Sequence, residues 1–580
     1  MRLARVAERV GAPALGVVTL GLLGVMFVYP VAIVLVESVQ VPGGYSLAPI
    51  TAILTDEFYF GVFAQALSDP AVLVRSFPDY RLGLFGFTVY QAILSTIAAV
   101  LLGLPGAYVL ARFEFPGRRT VRSLTALPFV MPSIMVAIGF VATFGRNGVL
   151  NTVLRSLGLP TVELLFTLKI IVLAHAFYDA PLIARITAAA WEGVDAEMTE
   201  TARSLGASPL RAFRDVIVPQ LLPAVLTGAL LTFIFSFMSF AIVLALGGLS
   251  LATVEVWVYD RVNQLDYQTA TALAVLEMLF SLALTYAYLR YEARQRATSA
   301  ARPAERVDLF GAVSKRRLFA WGYAVVALVV FVGPMASMVL ASVTGSEGLT
   351  LRNYQFLLDR QADAYDFQVK PLTAVVNSLL FGGGTLLLAV PMGVFLAVVS
   401  TRNFRGRKLI DTLAMAPFAV SGVVVGLGLL RGFVFGTEAF GYRFTIAGPI
   451  AIVAAHAVGA YPFVTRNVAP ALAGIDDSLV ESARSLGASR VRVMLDVELP
   501  LVVPAILAGT AFAFAISIGE FDSTVILASG GTSYTMPVAI ERFIGRRLGP
   551  ATAMGVVLLV VTGVSFVIID RLGEGSGFGG

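Results

Sequence analysis

The sequence contains no cysteine, which removes disulfide frameworks, thiolate zinc sites, iron–sulfur clusters and cysteine nucleophiles together. Histidine is almost as scarce. Only His175 and His456 could supply an imidazole, so a histidine metal centre or an imidazole base is poorly provisioned. The dipeptide Gly-Lys occurs nowhere, and a P-loop needs it because the Lys must reach phosphates that backbone amides cradle. Charge is also thin, 14% of the 580 residues against 57% hydrophobic, a balance that cannot clothe soluble domains. The chain reads as a membrane protein. Its net charge of +5 is spread in short basic clusters between apolar runs, a pattern that orients membrane segments and gives no reason to expect nucleic acid.

A helix needs roughly 20 apolar residues to cross the hydrocarbon core. Runs of that length predict spans at 12–36, 83–111, 124–144, 164–188, 221–246 and 270–291, then at 318–343, 373–401, 410–434, 444–470, 501–528 and 550–570. The first run follows Arg2, Arg5 and Arg9, is longer than a signal-peptide core and lacks a small-residue cleavage pattern, so it is expected to anchor the chain. With both termini cytoplasmic, 26 basic residues fall in inside segments and 13 in outside ones, which favours that orientation. The stretch from Arg290 to Arg317 has no apolar run and is expected to be a flexible cytoplasmic strap. The organisation is thus a first half at 1–292, a linker at 293–317 and a second half at 318–580.

Six spans return a chain to the side it started from, so two six-span halves are parallel repeats about an axis normal to the membrane. Self-similarity supports this. At a constant offset of 281, residues 174–223 and 455–504 share 22 identical pairs in 50 positions, among them His175 with His456, Pro181 with Pro462 and Asp195 with Asp476. Phe115, Gly117 and Arg118 pair with Phe404, Gly406 and Arg407 at an offset of 289.

The densest repeat is Glu200-Thr-Ala-Arg-Ser-Leu-Gly206-Ala-Ser and Glu481-Ser-Ala-Arg-Ser-Leu-Gly487-Ala-Ser, followed by Pro219 and Pro500. Each copy lies between the fourth and fifth spans of its half, within 193–223 and 474–504. Asp195 is placed to cap a short helix over 195–205, and Gly206 to end it in a left-handed conformation. Ser208 and Ser489 then begin a second helix, with Pro209 at its first position in the first half. The face formed by Ala202, Leu205 and Leu210, and by Ala483, Leu486 and Val491, is small and apolar on a charged loop, which suits a partner's groove.

The pattern Glu-x-Ala-x3-Gly-x12-Pro resembles the EAA loop of binding-protein-dependent ABC importer permeases; Thr201 and Ser482 stand where the family pattern has Ala. The resemblance implies an all-α polytopic fold of about twelve helices in two parallel repeats (type I importer, MetI-like). It also implies that these loops dock on two copies of an ATPase subunit, which would bind the ATP-Mg, and that an extracytoplasmic binding protein delivers the solute. One fused chain would form the whole channel in the cell membrane, with no cofactor or metal of its own and no catalytic residue.

Ionisable residues within spans are candidates for the solute path because hydrocarbon penalises them. These are Asp179, Glu277, Glu520 and Asp522, which could line the route of a cation; bracing roles within the bundle are the alternative for each. The paired positions of His175 and His456 argue for packing or hydrogen bonding. Fusion of both halves resembles thiamine and ferric iron permeases. The stretch from Phe237 to Gly248, with Thr253, Glu255 and Tyr259, looks more like the thiamine group. Phosphonate, sulfate, molybdate and polyamine-type solutes are further alternatives, and a twelve-span secondary transporter is the rival from another class.

Overall fold

The computed structural model describes residues 16–574 except 68, 70, 76–80, 126–130, 295–304, 346–347, 361–367, 403–406 and 440. Among these residues, 10 helices are long and apolar enough to cross a membrane, or up to 12 if each of two bent pairs is one span. In the first half they are Gly16–Glu37, Gly83–Arg112, Ser133–Ser156, Leu168–Glu192, Pro209–Phe237 and Tyr267–Glu292. In the second half Lys315–Ser342, Pro371–Ser400, Gly448–Ala473 and Leu548–Ser565 are continuous. The ninth span is Ile410–Ala419 with Gly422–Val434, bent by 100°, and the eleventh is Val491–Leu501 with Val503–Gly519, bent by 70°.

Each bend has a local cause. Ser421 caps a new helix by accepting the Val424 amide at 3.2 Å, so the chain restarts in a different direction. Pro500 and Pro504 flank Val502 and bring no N–H to the helical ladder, which opens it there. A single π-helical turn occurs at Phe213–Ile217 and again at Met494–Glu498, the same place in both repeats.

Three expectations need correction. The third span starts at Ser133; Arg118–Leu124 is a separate basic helix, and residues 126–130 lie outside the described set. The fifth span is Pro209–Phe237, earlier than 221–246, because the helix stops at Met238 and restarts as Ala241–Gly247. Its counterpart likewise ends at Gly519, ahead of the short helix Thr524–Leu527. The linker is the third. Its described part, from 305 onward, is pinned to the first half: Val307 and Asp308 pair in parallel with Phe113 and Glu114, and the Leu309 amide reaches the Glu114 carbonyl at 3.0 Å. Leu309 is buried with Val109, Phe113 and Ala320, an apolar anchor that the polar composition of the segment hid.

Within each half the second and fourth spans pack closely. Gly103 and Gly393, at equivalent positions, permit it: a Cβ on Gly103 would lie 2.6 Å from the Ala180 carbonyl oxygen, and one on Gly393 would lie 2.5 Å from Val464 Cβ. Small residues at such crossings are how helices associate in lipid, where apolar surface alone gives no preference. The first span of each half crosses to the other half. Gly428 faces Pro30 and Gly139 faces Pro334, and Glu37 pairs with Arg431 at 2.8 Å. The halves are therefore interlocked through their first and third spans.

Candidate functional site

The loop after the fourth span begins at Asp195, whose carboxylate accepts the Glu197 amide at 3.0 Å. Asp476 accepts the Ser478 amide at 2.9 Å in the second half. That amide bond holds the Asp476 carboxyl below the usual carboxylate range, so the cap is fully formed at neutral pH and is lost only as pH falls through the lowered value. The capped helices run Ala196–Ser204 and Asp477–Ser485.

Both end in the same double hydrogen bond. Gly206 and Gly487 adopt φ of 90° and 85°, and the following amides reach back, Ala207 to the Ala202 carbonyl at 3.0 Å and Ala488 to Ala483 at 3.1 Å. This is a Schellman closure, which needs a left-handed residue at the turn. Ser208 and Ser489 then accept the Arg211 and Arg492 amides at 3.2 and 3.4 Å and start the helix that leads into the fifth or eleventh span. Sequence reasoning placed each of these turns.

The turns leave large apolar side chains in the open. Leu205 is 83% exposed and Leu486 90%, and Leu210 is exposed while its counterpart Val491 is half-buried. Ala202 and Ala483 are half-buried; Glu200, Glu481, Pro219 and Pro500 are exposed. Met198 and Leu479 are exposed as well and extend the stripe one turn toward the helix start. Sequence reasoning missed them, although the 198, 202, 205 spacing carries the helical signal.

Beneath the loops the halves differ. Glu192, at the end of the fourth span, is held by Arg118 at 2.5 Å, Arg122 at 3.1 Å and Arg306 of the linker at 3.3 Å. Ala473 takes its place in the second half, beside a cavity of about 770 Å³ lined by residues including Arg402, Arg407, Arg466 and Glu498.

The four acidic candidates have different immediate partners. Asp179 is buried in the first half and accepts the Ser236 hydroxyl at 3.2 Å. Glu520 accepts the Ser523 and Thr524 amides at 2.7 and 3.1 Å, which caps the helix after the eleventh span, and it lies 3.1 Å from His456 Nε2. Asp522 packs against the Gly422 backbone. Glu277 is buried beside Glu255, a residue the sequence reading did not place in the path because it sits on the short helix Val254–Asn263 between spans.

The two histidines hold equivalent joints. His175 bonds Ser95 at 2.9 Å and Ser239 at 2.8 Å; His456 bonds Ser517 and Thr524, both at 2.8 Å. Among the described residues no group of three or more His, Cys, Asp or Glu is placed to hold a metal ion.

The sequence matches the family model for the binding-protein-dependent transport system inner membrane component over residues 71–297 and 389–575. The chain is 28% identical to the thiamine transport system permease protein of Brucella abortus over 555 residues, covering 92% of this chain and 95% of that protein. It is 25% identical to the ferric transport system permease protein of Actinobacillus pleuropneumoniae over 538 residues, covering 90% and 75%. The crystal structure of a bacterial ABC transporter involved in import of the acidic polysaccharide alginate aligns with 45% of this chain and 94% of its own, with a TM-score of 0.37 and 22% identity. With one match in each half, together covering most of its length, the chain belongs to the binding-protein-dependent transport system inner membrane component family, as a permease with both halves fused in one polypeptide.

Proposed function

We propose that this permease forms the membrane path for thiamine, delivered by an external binding protein and driven by two copies of a separate ATPase subunit, one on each loop. The observation that carries the coupling role is the twin Schellman-closed helix with its exposed leucine, built alike at Leu205 and Leu486. A leucine left bare on a polar loop at both equivalent positions suits a preformed groove. Family membership sets aside the twelve-span secondary transporter, and ATP-Mg would be bound by the ATPase partner. In this reading the termini are cytoplasmic, a single chain makes the channel, and the coupling residues are those of the two loops, Glu200 to Pro219 and Glu481 to Pro500. Asp179, Glu277, Glu520 and Asp522 are the acidic residues of the path.

Rocking of the interlocked halves would expose that path alternately to each side, with energy entering as the different affinity of each conformation for ATP-closed subunits. Thiamine is favoured by the relative matched over 95% of its own length; the ferric relative, matched over 75% of its own, supports iron as the second reading. Titrating the cognate binding protein with thiamine and ferric iron separates them, and binding of neither refutes both. For coupling, reversing both loop acids (Glu200→Lys with Glu481→Lys) is expected to lower transport and transport-linked ATP hydrolysis while membrane insertion stays intact. Unchanged transport would refute the docking role.

A further inference from the structure

We infer that the two halves share one site for an organic cation at their interface, built by Glu255 and Glu277 of the first half with Asp522 of the second. The inference rests on the importer reading above. Glu255 is 0% exposed and Glu277 2%, and among the described residues no basic group and no well-formed hydrogen bond satisfies any of their four carboxyl oxygens. The two carboxyl groups adjoin each other and the Ser421 hydroxyl, and Glu255 and Glu520 are the acidic neighbours of Asp522. A carboxylate can only accept, and burying two side by side with a single hydroxyl for a donor is costly unless a shared proton or a positive partner completes them. Glu520 next door shows the contrast, since its oxygens are taken by two amides, the Thr524 hydroxyl and His456.

The internal repeat supplies the second observation. The short helices Val254–Asn263 and Met536–Ile544 are anchored alike, the Val254 amide by Thr88 at 3.2 Å and the Met536 amide by Ser378 at 2.9 Å. Aligned on those anchors, Glu255 corresponds to Pro537; aligned on their shared Ala-Thr-Ala, at 270–272 and 551–553, the last spans of the halves place Glu277 opposite Leu558. Asp522 corresponds to Ala241. At these three positions one of two equivalent interfaces is therefore acidic and the other apolar. A requirement of the fold would act on both; a charge on the cargo needs to be met only once.

The surroundings favour a delocalised organic cation over a metal. Phe521, between Glu520 and Asp522, stacks on Phe240 of the other half at 5.5 Å, and Tyr259 meets Phe240 edge-on at 5.3 Å, so an aromatic cluster joins the halves beside Asp522 in the chain, and aromatic rings are the partners an organic cation takes. No metal-holding group forms among the described residues.

The test is the full chain reconstituted in liposomes with its ATPase and binding protein, reading thiamine taken up per ATP hydrolysed. Glu255→Gln with Glu277→Gln is expected to lower that ratio by about tenfold, the loss of roughly one good charge interaction. Glu277→Leu, which installs the residue the second half carries at 558, is the variant expected to fold in any case, and it should lower the ratio in the same direction. An unchanged ratio in both variants, or uptake and hydrolysis falling in parallel, overturns the site while wild-type thiamine uptake leaves the importer reading standing. Wild-type uptake of ferric iron in place of thiamine overturns the organic-cation assignment and the substrate reading together.

Discussion

The two histidines show how one residue at equivalent positions comes to carry different weight. His175 joins two serine hydroxyls, neutral bonds that in a membrane bundle contribute about 0.6 kcal/mol each. His456 also touches Glu520, and hydrogen bonds to a charged group contribute about 1.5–3 kcal/mol. His456→Ala is therefore expected to destabilise the protein by about 2 kcal/mol and His175→Ala by about 1 kcal/mol, read as the order of their melting temperatures in detergent. Equal losses would mean that Glu520 draws nothing from the imidazole. The pairing of the histidines was legible from the repeat, and so was their bonding role. The carboxylate was not, because Glu520 aligns with Ser239 and only the fold shows both side chains reaching the same imidazole position.

At the scale of elements, the lengths of the spans were legible but their partners were not. An apolar run says that a helix can cross; in lipid every face of it is apolar, so hydropathy is silent about which helix it meets. The glycines hold part of that information. Gly103 and Gly393 sit at the crossing of the second and fourth spans, where a Cβ would come within 2.6 and 2.5 Å of neighbouring atoms, whereas Gly383, on the same helix as Gly393, has nothing within 4 Å. Gly393→Ala and Gly103→Ala are expected to cost about 1–3 kcal/mol by forcing the helices apart. Gly383→Ala should be neutral or gain up to about 1 kcal/mol from helix propensity. Thermal unfolding of the three variants checks the order, and a neutral Gly393→Ala would show that the crossing can shift at no cost. The fifth span was misplaced for a related reason: the apolar run from 221 to 246 continues past Phe237 without a polar residue larger than serine, so composition does not register the break that Ser239 and Phe240 make in the chain.

For the whole molecule, the repeat read from sequence gives two loops of one design, yet the structure sets them on unlike supports. The first loop stands over Glu192, which is clamped by three arginines, one of them from the linker. The second stands over Ala473 and an open cavity, where Arg402 pairs with the buried Glu498. The linker's contribution was invisible in sequence because its anchor is one buried leucine and a two-residue strand, too short to show a period. If each loop seats one ATPase subunit through its bare leucine, burying a charge there should cost that seat alone. Leu205→Asp is expected to leave a complex with one ATPase subunit per permease in native mass spectrometry, Leu486→Asp likewise, and the double variant none. Because one arginine holds the second loop where three hold the support of the first, its seat is expected to be the weaker, so wild-type complexes diluted toward dissociation should lose the first ATPase copy at a concentration that Leu205→Asp leaves unchanged and Leu486→Asp abolishes as a separate step. Two copies retained in the double variant would place the docking surface elsewhere on the molecule.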